Sequence, residues 1–454
     1  MRPVEAASVL ALSAVILRIM GIQLPYNRKC VNVHRRLNVS MTLNDSIHYQ
    51  HQRLFVDDVP VLNIRHVVDT PVYIYSERRI LQNYRAIERA FSAMRPHIHF
   101  SMKANNALAI LRTLQQAGAG IDAVSGGEIY KAISAGVDPA HIVFAGVGKT
   151  AADIRYALNV GVGWFNIENV QEAHLIQQLA EGMGRTQVRV ALRLNPDITA
   201  NTHPYIATGH GAAKFGLTEE AIRHLLDRQH EFPALVMRGL HVHIGSNLKD
   251  TTATVEAITR ARTLAASYPS ITTLNIGGGM PVAYSSDDDV PSAAEFAAAI
   301  APHIGDYQLL LEPGRAIIAD AGILITKVLY TKFQGGQRLI IIDASMTELI
   351  RPMLYQAHHD IVPVHRDSDA PHYPTQVHGP VCETTDVMGR DVPLPELEPD
   401  DLLAVLTAGA YGSVMSSHYN ARPRPAEVLV HADGTTWSVI RRRESWSDLV
   451  RGET

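Results

Sequence analysis

Lys103 closes an apolar run, Ile98 to Met102, and is followed by Ala104 and Asn105. An ammonium group is costly to bury unless it is paired. Burial lowers its pKa, and a lysine tuned that way attacks carbonyl carbons to form Schiff bases. The structural alternative is a lysine that buries its stem and snorkels its charge to water. Gly277, Gly278 and Gly279 offer bare backbone whose N–H groups can approach a phosphate closely, and Gly314-Arg315 adds a small residue and a cation. Glu312 is an acid two residues before that glycine, and His241 and His243 are two imidazoles in one apolar run. Three clusters further on suit substrate contact. Cys382-Glu383 sets a thiol beside a carboxylate, Arg351 and Tyr355 supply a cation and a phenol, and Tyr411 stands among Gly409, Ala410 and Gly412. A structural tyrosine in a glycine-rich turn is the plainer account of Tyr411.

Such residues act together only if the fold collects them. From Val72 to about Asp320 short apolar β-type runs alternate with helical segments. Val72 to Tyr75 is followed by Ser76, a helix N-cap for Glu77 to Met94. Eight further runs follow: Ile98–Met102, Ile121–Val124, Ile142–Ala145, Trp164–Ile167, Val188–Leu194, Gly239–Ile244, Thr273–Ile276 and Gln308–Leu311. Eight strand–helix units match an α/β fold of the (β/α)8 TIM-barrel kind, with an open doubly wound sheet as the alternative. After Asp320, five β-type runs between Gly322 and Val430 predict a C-terminal all-β domain. The expected organisation is an extension over 1–40, an N-terminal β segment over 41–75 that pairs with the β domain, a barrel over 76–320 and the β domain over 321–454.

Composition sets the class. The 454 residues are 46% apolar and 19% charged with a formal net charge of −4, which suits a soluble protein and gives no reason for nucleic acid or a membrane as partner. Two cysteines, Cys30 and Cys382, make no disulfide framework and fit a reducing, cytoplasmic setting. A lone cysteine in a folded region is by default a small buried hydrophobe. Ser8 to Leu17 is apolar but too short to span a bilayer. Met1 to Val39 carries six Lys/Arg and one acid, so an organellar presequence stands beside the reading of 1–40 as a dispensable extension.

In a (β/α)8 barrel chemistry sits at the carboxyl ends of the strands. There the chain places Lys103, Asp122, Arg193, His241 to Ser246, the Gly277–Gly279 loop and Glu312 to Arg315. Loops after strands seven and eight commonly hold phosphate in this fold. A lysine, a phosphate site and an acid on one rim fit pyridoxal 5′-phosphate, with Glu312 on the pyridine nitrogen and His243 stacked on the ring. His241 and His243 have no further ligands grouped with them and make a poor metal pair, and no metal is expected. Gly146 to Thr150 imitates a phosphate-binding P-loop, but Val143 stands where that motif needs glycine, so it reads as a turn with Lys149-Thr150 opening a helix.

Residues 45–450 resemble the diaminopimelate decarboxylases, within the alanine racemase-like class that includes ornithine and arginine decarboxylases. The motifs that carry the resemblance are Lys103-Ala-Asn, His243-Ile-Gly-Ser246, Gly277-Gly-Gly279, Glu312-Pro-Gly-Arg315, Arg351-Pro-x-x-Tyr355, Gly379-Pro-Val-Cys382-Glu383 and Ala408-Gly-Ala-Tyr411-Gly. The resemblance implies that Lys103 carries the cofactor and that Ser246, Gly277 to Gly279, Gly314 and Tyr411 serve its phosphate. Asp122 and Arg193 would line its other edge. Arg315, Arg351 and Tyr355 would bind the substrate's distal carboxylate, and Glu383 its distal ammonium. Cys382 would protonate the product carbon from a neighbouring subunit, which implies a homodimer with shared active sites. The implied reaction is decarboxylation of meso-2,6-diaminoheptanedioate at its D-centre to L-lysine, the last step of lysine biosynthesis. A related substrate, such as carboxynorspermidine or a basic amino acid, and an inactive regulatory homologue stay open as alternatives. A racemase is expected to put an arginine where Glu312 stands. Thr384-Thr385 replaces serines common in the family, and Met280-Pro281-Val282 varies the loop after the glycines.

Overall fold

The computed structural model describes Met41, residues 43–198, 208–209, 213–367 and 369–454, so the expectations for 1–40 lie outside the described residues. Strands β1 (Ile47–Gln50), β2 (Arg53–Val56) and β3 (Val59–Pro60) form a small antiparallel sheet. Val61–Val68, expected to be extended like its neighbours, is a helix that buries Val61 and Ile64. Apolar spacing of three residues against a core outweighs the β-propensity of its branched side chains. β4 (Val72–Ser76) is buried along its whole length. Ser76 then caps the helix Glu77–Ala90, its Oγ accepting from the Arg79 N–H at 3.0 Å.

The eight predicted runs are eight parallel strands of one closed barrel: β5 (His97–Ser101), β6 (Gly120–Ala123), β7 (Ile142–Phe144), β8 (Trp164–Ile167), β9 (Val188–Arg193), β10 (Leu235–His241), β11 (Thr273–Asn275) and β12 (Gln308–Leu311). β12 pairs back onto β5, with Leu311 opposite Ile98, which excludes the open sheet. The strands read as unbroken apolar runs because helices cover one face and barrel-filling side chains the other. Strands β5 to β11 are each followed by a helix of nine to fourteen residues, but β12 is followed only by the four-residue Arg315–Ile318. The helix Glu77–Ala90, which precedes the barrel, packs between Ala293–Ile304 and Leu108–Gln116 and fills the eighth position. The chain is thus free to leave the barrel at β12 and enter the β domain at once.

That domain comprises β13 (Gly322–Gln334), β14 (Gln337–Ile342), β15 (Ile361–Pro363), β16 (Tyr373–His378), β17 (Val387–Leu394), β18 (Leu402–Val405), β19 (Ala426–Val430) and β20 (Trp437–Arg441). Its main sheet runs β17-β16-β14-β13-β4-β19-β20, with β18 joined to β13 and β15. The N-terminal strand β4 therefore lies inside the C-terminal sheet, antiparallel to β13 and parallel to β19. Three strands escaped the sequence reading. β17 contains Gly389, Asp391 and Pro393, which read as turn signals, β15 is three residues long, and β20 has no fully buried residue. Among the described residues no helix is long and apolar enough to cross a membrane.

Candidate active site

Lys103 stands in the turn just past β5, between the buried Met102 and Ala104, and its side chain is exposed. The turn is bound to the β domain. Tyr411 N–H donates to the Ala104 carbonyl at 2.8 Å, and the Asn105 amide donates to the Gly409 carbonyl at 3.1 Å. The expectation of a buried lysine with a lowered pKa is corrected here. Desolvation does press its pKa down, but Asp122, Tyr411 and Glu312 outweigh it and hold the ammonium above its ordinary value. No hydrogen bond or ion pair to the Lys103 amine occurs among the described residues.

Its two carboxylates have opposite fates. Asp122 lies on β6 opposite Ser101, whose Oγ donates to its Oδ2 at 2.6 Å, while its buried Oδ1 has no partner among the described residues. Burial and then the charge of Glu312 push Asp122 up to about 7, against the pull of Lys103. Burial would raise Glu312 too, but His241, an amide from Asn275 and Lys103 hold it below the ordinary carboxylate range. Asn166 and Asn275 donate to its Oε1 at 2.9 and 2.6 Å, and His241 Nε2 lies 3.4 Å from its Oε2. Hydrogen bonds to the charged form are what keep a buried carboxylate ionised. Asn166, Asn275 and His241 were not singled out from the sequence for this task. Their signal was there: polar residues within otherwise apolar barrel strands.

β10 ends at His241, before the predicted Ile244. His243 lies past the strand end, and its Nδ1 accepts from the Gly278 N–H at 3.4 Å. Desolvation, with Lys103 and Arg193 nearby, pushes its pKa far down, so the ring is neutral and Nδ1 can accept. The glycine loop has no room for side chains. A Cβ on Gly277 would lie 2.6 Å from His243 Nδ1, and one on Gly278 2.5 Å from the Glu312 carbonyl. Arg193, expected along the cofactor's edge, is held by Glu168 at 2.6 Å, which also accepts from Gly216 N–H at 2.9 Å.

Arg315 and Arg351 are both buried, and neither has a carboxylate within ion-pair distance among the described residues. Arg315 donates to Ser246 Oγ at 3.1 and 3.3 Å and to the Tyr284 hydroxyl at 2.5 Å, and its guanidinium lies 4.8 Å from the Tyr411 ring centre. Gly314 packs its backbone against Ser101 and Ala104. Arg351 opens the short helix Arg351–Tyr355, its Nη1 is 2.9 Å from His359 Nε2, and its guanidinium is 4.4 Å from the Tyr284 ring centre. Tyr355 is near enough to act on the charge of Arg315. Tyr284 and His359 were missed. One sits in a loop marked only for its departure from the family, and the other in a histidine pair with no motif around it.

Cys382 and Glu383 do not join this cluster within one chain. Both are exposed, in the loop between β16 and β17, where the Tyr419 hydroxyl donates to Glu383 Oε1 and the Asn420 side chain accepts from Cys382 N–H at 3.4 Å. The default of a buried small cysteine is therefore corrected. A stretch rich in Gly, Pro, Thr and Asp makes a projecting turn, not a core.

Residues 77–319 match the family model described as the pyridoxal binding domain of pyridoxal-dependent decarboxylases. A diaminopimelate decarboxylase of Pseudomonas aeruginosa is 42% identical over 416 residues, covering 90% of this chain and 99% of that protein. One from Neisseria meningitidis is 40% identical over 410 residues, covering 88% and 98%. Among solved structures, diaminopimelate decarboxylase from Helicobacter pylori complexed with L-lysine is 36% identical, with a TM-score of 0.82 over 86% of this chain and 98% of that one. With its closed barrel, its β domain and similarity along nearly the whole described chain, the protein belongs to the diaminopimelate decarboxylase family of pyridoxal-dependent decarboxylases.

Proposed function

We propose that this protein uses pyridoxal 5′-phosphate to remove CO2 from the D-centre of meso-2,6-diaminoheptanedioate, leaving L-lysine. One observation carries the choice of substrate: Arg315 and Arg351 are buried beside the Lys103 site with no acidic partner among the described residues. Two buried guanidiniums lacking a counter-charge favour an anionic ligand, and forked donors suit a carboxylate. A basic amino acid carries no second carboxylate and would oppose them with its distal ammonium.

The residues present fit the cofactor. The Gly277–Gly279 loop forbids side chains where a phosphate would need bare amides, and the buried Asp122 Oδ1 is an acceptor without a donor among the described residues. Lys103 would hold the cofactor's aldehyde carbon, His243 would face its ring, and Ser246, Gly314 and Tyr411 would join the glycines at its phosphate. Asp122 and Arg193 would flank it. When bound, the cofactor supplies the electron sink for the pair released as CO2 departs. Glu312, kept ionised by Asn166, Asn275 and His241, would hold a proton on the pyridine nitrogen. Arg315, Arg351 and Tyr355 would grip the distal carboxylate and so leave the D-centre at the barrel mouth.

Proton delivery calls for a second subunit. Cys382 and Glu383 are exposed and separated from the chain's own cluster, which supports a homodimer in which Cys382 Sγ protonates the product carbon of the neighbouring site and Glu383 meets the distal ammonium. Two cysteines in the chain and no disulfide framework support a cytoplasmic enzyme. Assaying the holoenzyme for CO2 and lysine from this substrate tests the activity; no turnover would refute it. Mixing inactive Lys103→Ala and Cys382→Ala proteins should restore about a quarter of wild-type activity through mixed dimers, and no restoration would refute the shared site.

A further inference from the structure

Arg315 and Arg351 are both in contact with a pair of residues that the site's motifs do not include, Tyr284 and His359. Tyr284 lies between the two guanidiniums. Its hydroxyl accepts from Arg315 Nη1 at 2.5 Å, and the face of its ring is 4.4 Å from the Arg351 guanidinium carbon. His359 sets its ring edge-on to Tyr284, 5.2 Å between centres at 81°, and faces Arg351 Nη1 with its Nε2 at 2.9 Å. Its Nδ1 lies 2.9 Å from the Leu406 carbonyl. A carbonyl only accepts, so Nδ1 carries the hydrogen and Nε2 is left bare to accept from arginine. Both residues are buried and fixed in place: Tyr284 N–H and Ser285 N–H donate to Asp288 Oδ2 at 2.9 and 3.1 Å.

Arg315 repels the charge of Arg351, and among the described residues neither is neutralised by a carboxylate. An aromatic face and a neutral imidazole supply partial negative charge without competing for the ligand as a carboxylate would. We propose that Tyr284 and His359 are positioning residues that hold Arg315 and Arg351 ready for the substrate's distal carboxylate, and so set the preference for a ligand that carries one. This rests on the substrate reading above.

The test uses holoenzyme variants with two readouts. His359→Leu, which removes the acceptor, should raise KM for diaminopimelate at least about tenfold while kcat stays within about threefold, the pattern of lost ground-state binding. His359→Gln, which keeps an acceptor on a longer chain, should recover most of that loss. Tyr284→Phe keeps the ring under Arg351 and loses only the hydroxyl, so its KM should rise less than that of His359→Leu. The second readout is binding of L-lysine, which retains the carboxylate, against cadaverine, which lacks it, each measured by calorimetry. The variants should weaken L-lysine about tenfold and leave cadaverine nearly unchanged. Equal weakening of both ligands, or a fall in kcat with KM unchanged, would overturn the proposal. If wild-type protein fails to turn over diaminopimelate, the substrate reading fails, while the lysine–cadaverine contrast still decides the role of the pair. Should His359→Leu not fold, Tyr284→Phe and His359→Gln carry the same comparison.

Discussion

Two lysines follow barrel strands here, and they show how differently one side chain can be used. Lys149, past β7, has a fully buried side chain, and its amine donates to the Gly146 and Asn166 carbonyls at 2.7 Å and to Glu172 Oε1 at 2.6 Å. Thr150 and Asp153 then form a reciprocal cap on the helix Ala151–Val160. All three hydrogens of its ammonium are used, so nothing is left for a ligand. Lys103, past β5, has comparable charge around it but no bonded partner among the described residues, and it opens to solvent. The fold satisfies one lysine completely and leaves the other with charges at a distance, which is the contrast that the proposed role of Lys103 requires.

Removing each lysine should break this comparison in opposite ways. Lys103→Ala is expected to reduce turnover by on the order of 10⁴-fold or more while the melting temperature changes little. Turnover within about tenfold of wild type would remove Lys103 from the chemistry. Lys149→Met should instead leave Glu172 buried and unpaired, at a cost of about 3–5 kcal/mol in urea unfolding. Burial already keeps Glu172 above its ordinary pKa despite the lysine. The fraction of the protein that stays folded should keep its specific activity. A Lys149→Met protein as stable as wild type would mean that the Lys149–Glu172 pair contributes nothing to stability.

The barrel was legible because strand and helix periodicity are local properties, and all eight strands begin or end within a few residues of the apolar runs. Lys103, Glu312 and the glycines stand out in the sequence because charged residues and glycines are improbable at the ends of apolar runs. What could not be read locally is pairing. Nothing in the run Thr273–Asn275 says that Asn275 meets Glu312, and nothing near Ser246 says that it meets Arg315. The electrostatic sign at Lys103 failed for the same reason: burial is a property of one strand, whereas Asp122 and Glu312 arrive from two others. Cys382 shows the converse, since a projecting turn was legible as a turn but its exposure depends on the whole surface.

Support for Glu312 offers an intermediate effect. Asn275→Ala removes the 2.6 Å amide bond to a buried carboxylate, a charge-assisted bond worth about 1.5–3 kcal/mol. The variant should be destabilised by about that amount and should decarboxylate more slowly, because Glu312 then holds its charge less firmly. A further test is additivity: the Asn166 amide donates to the same oxygen, so the double variant with Asn166→Ala should depart from the sum of the two single variants. Strict additivity would mean that the two amides do not act through one carboxylate.

The smallest expected effect probes the imbalance at Lys103 itself. Asp122 has a folded-state pKa near 7, well above its unfolded value, so between about pH 4 and 7 the folded protein binds more protons than the unfolded chain. Its contribution to stability is therefore present at the acidic end of that window and is lost as pH rises through it. Asp122→Asn has no proton to lose, so cofactor-free variant and wild type should diverge in urea unfolding as pH rises, the variant gaining relative stability. Lys103 should respond in parallel. Without the Asp122 carboxylate its pKa moves down, and its labelling by an amine-reactive reagent should begin at lower pH than in wild type. Stability curves that run parallel through this window, with unchanged labelling, would show that Asp122 does not act on Lys103, and the difference between the two lysines would then rest on exposure alone.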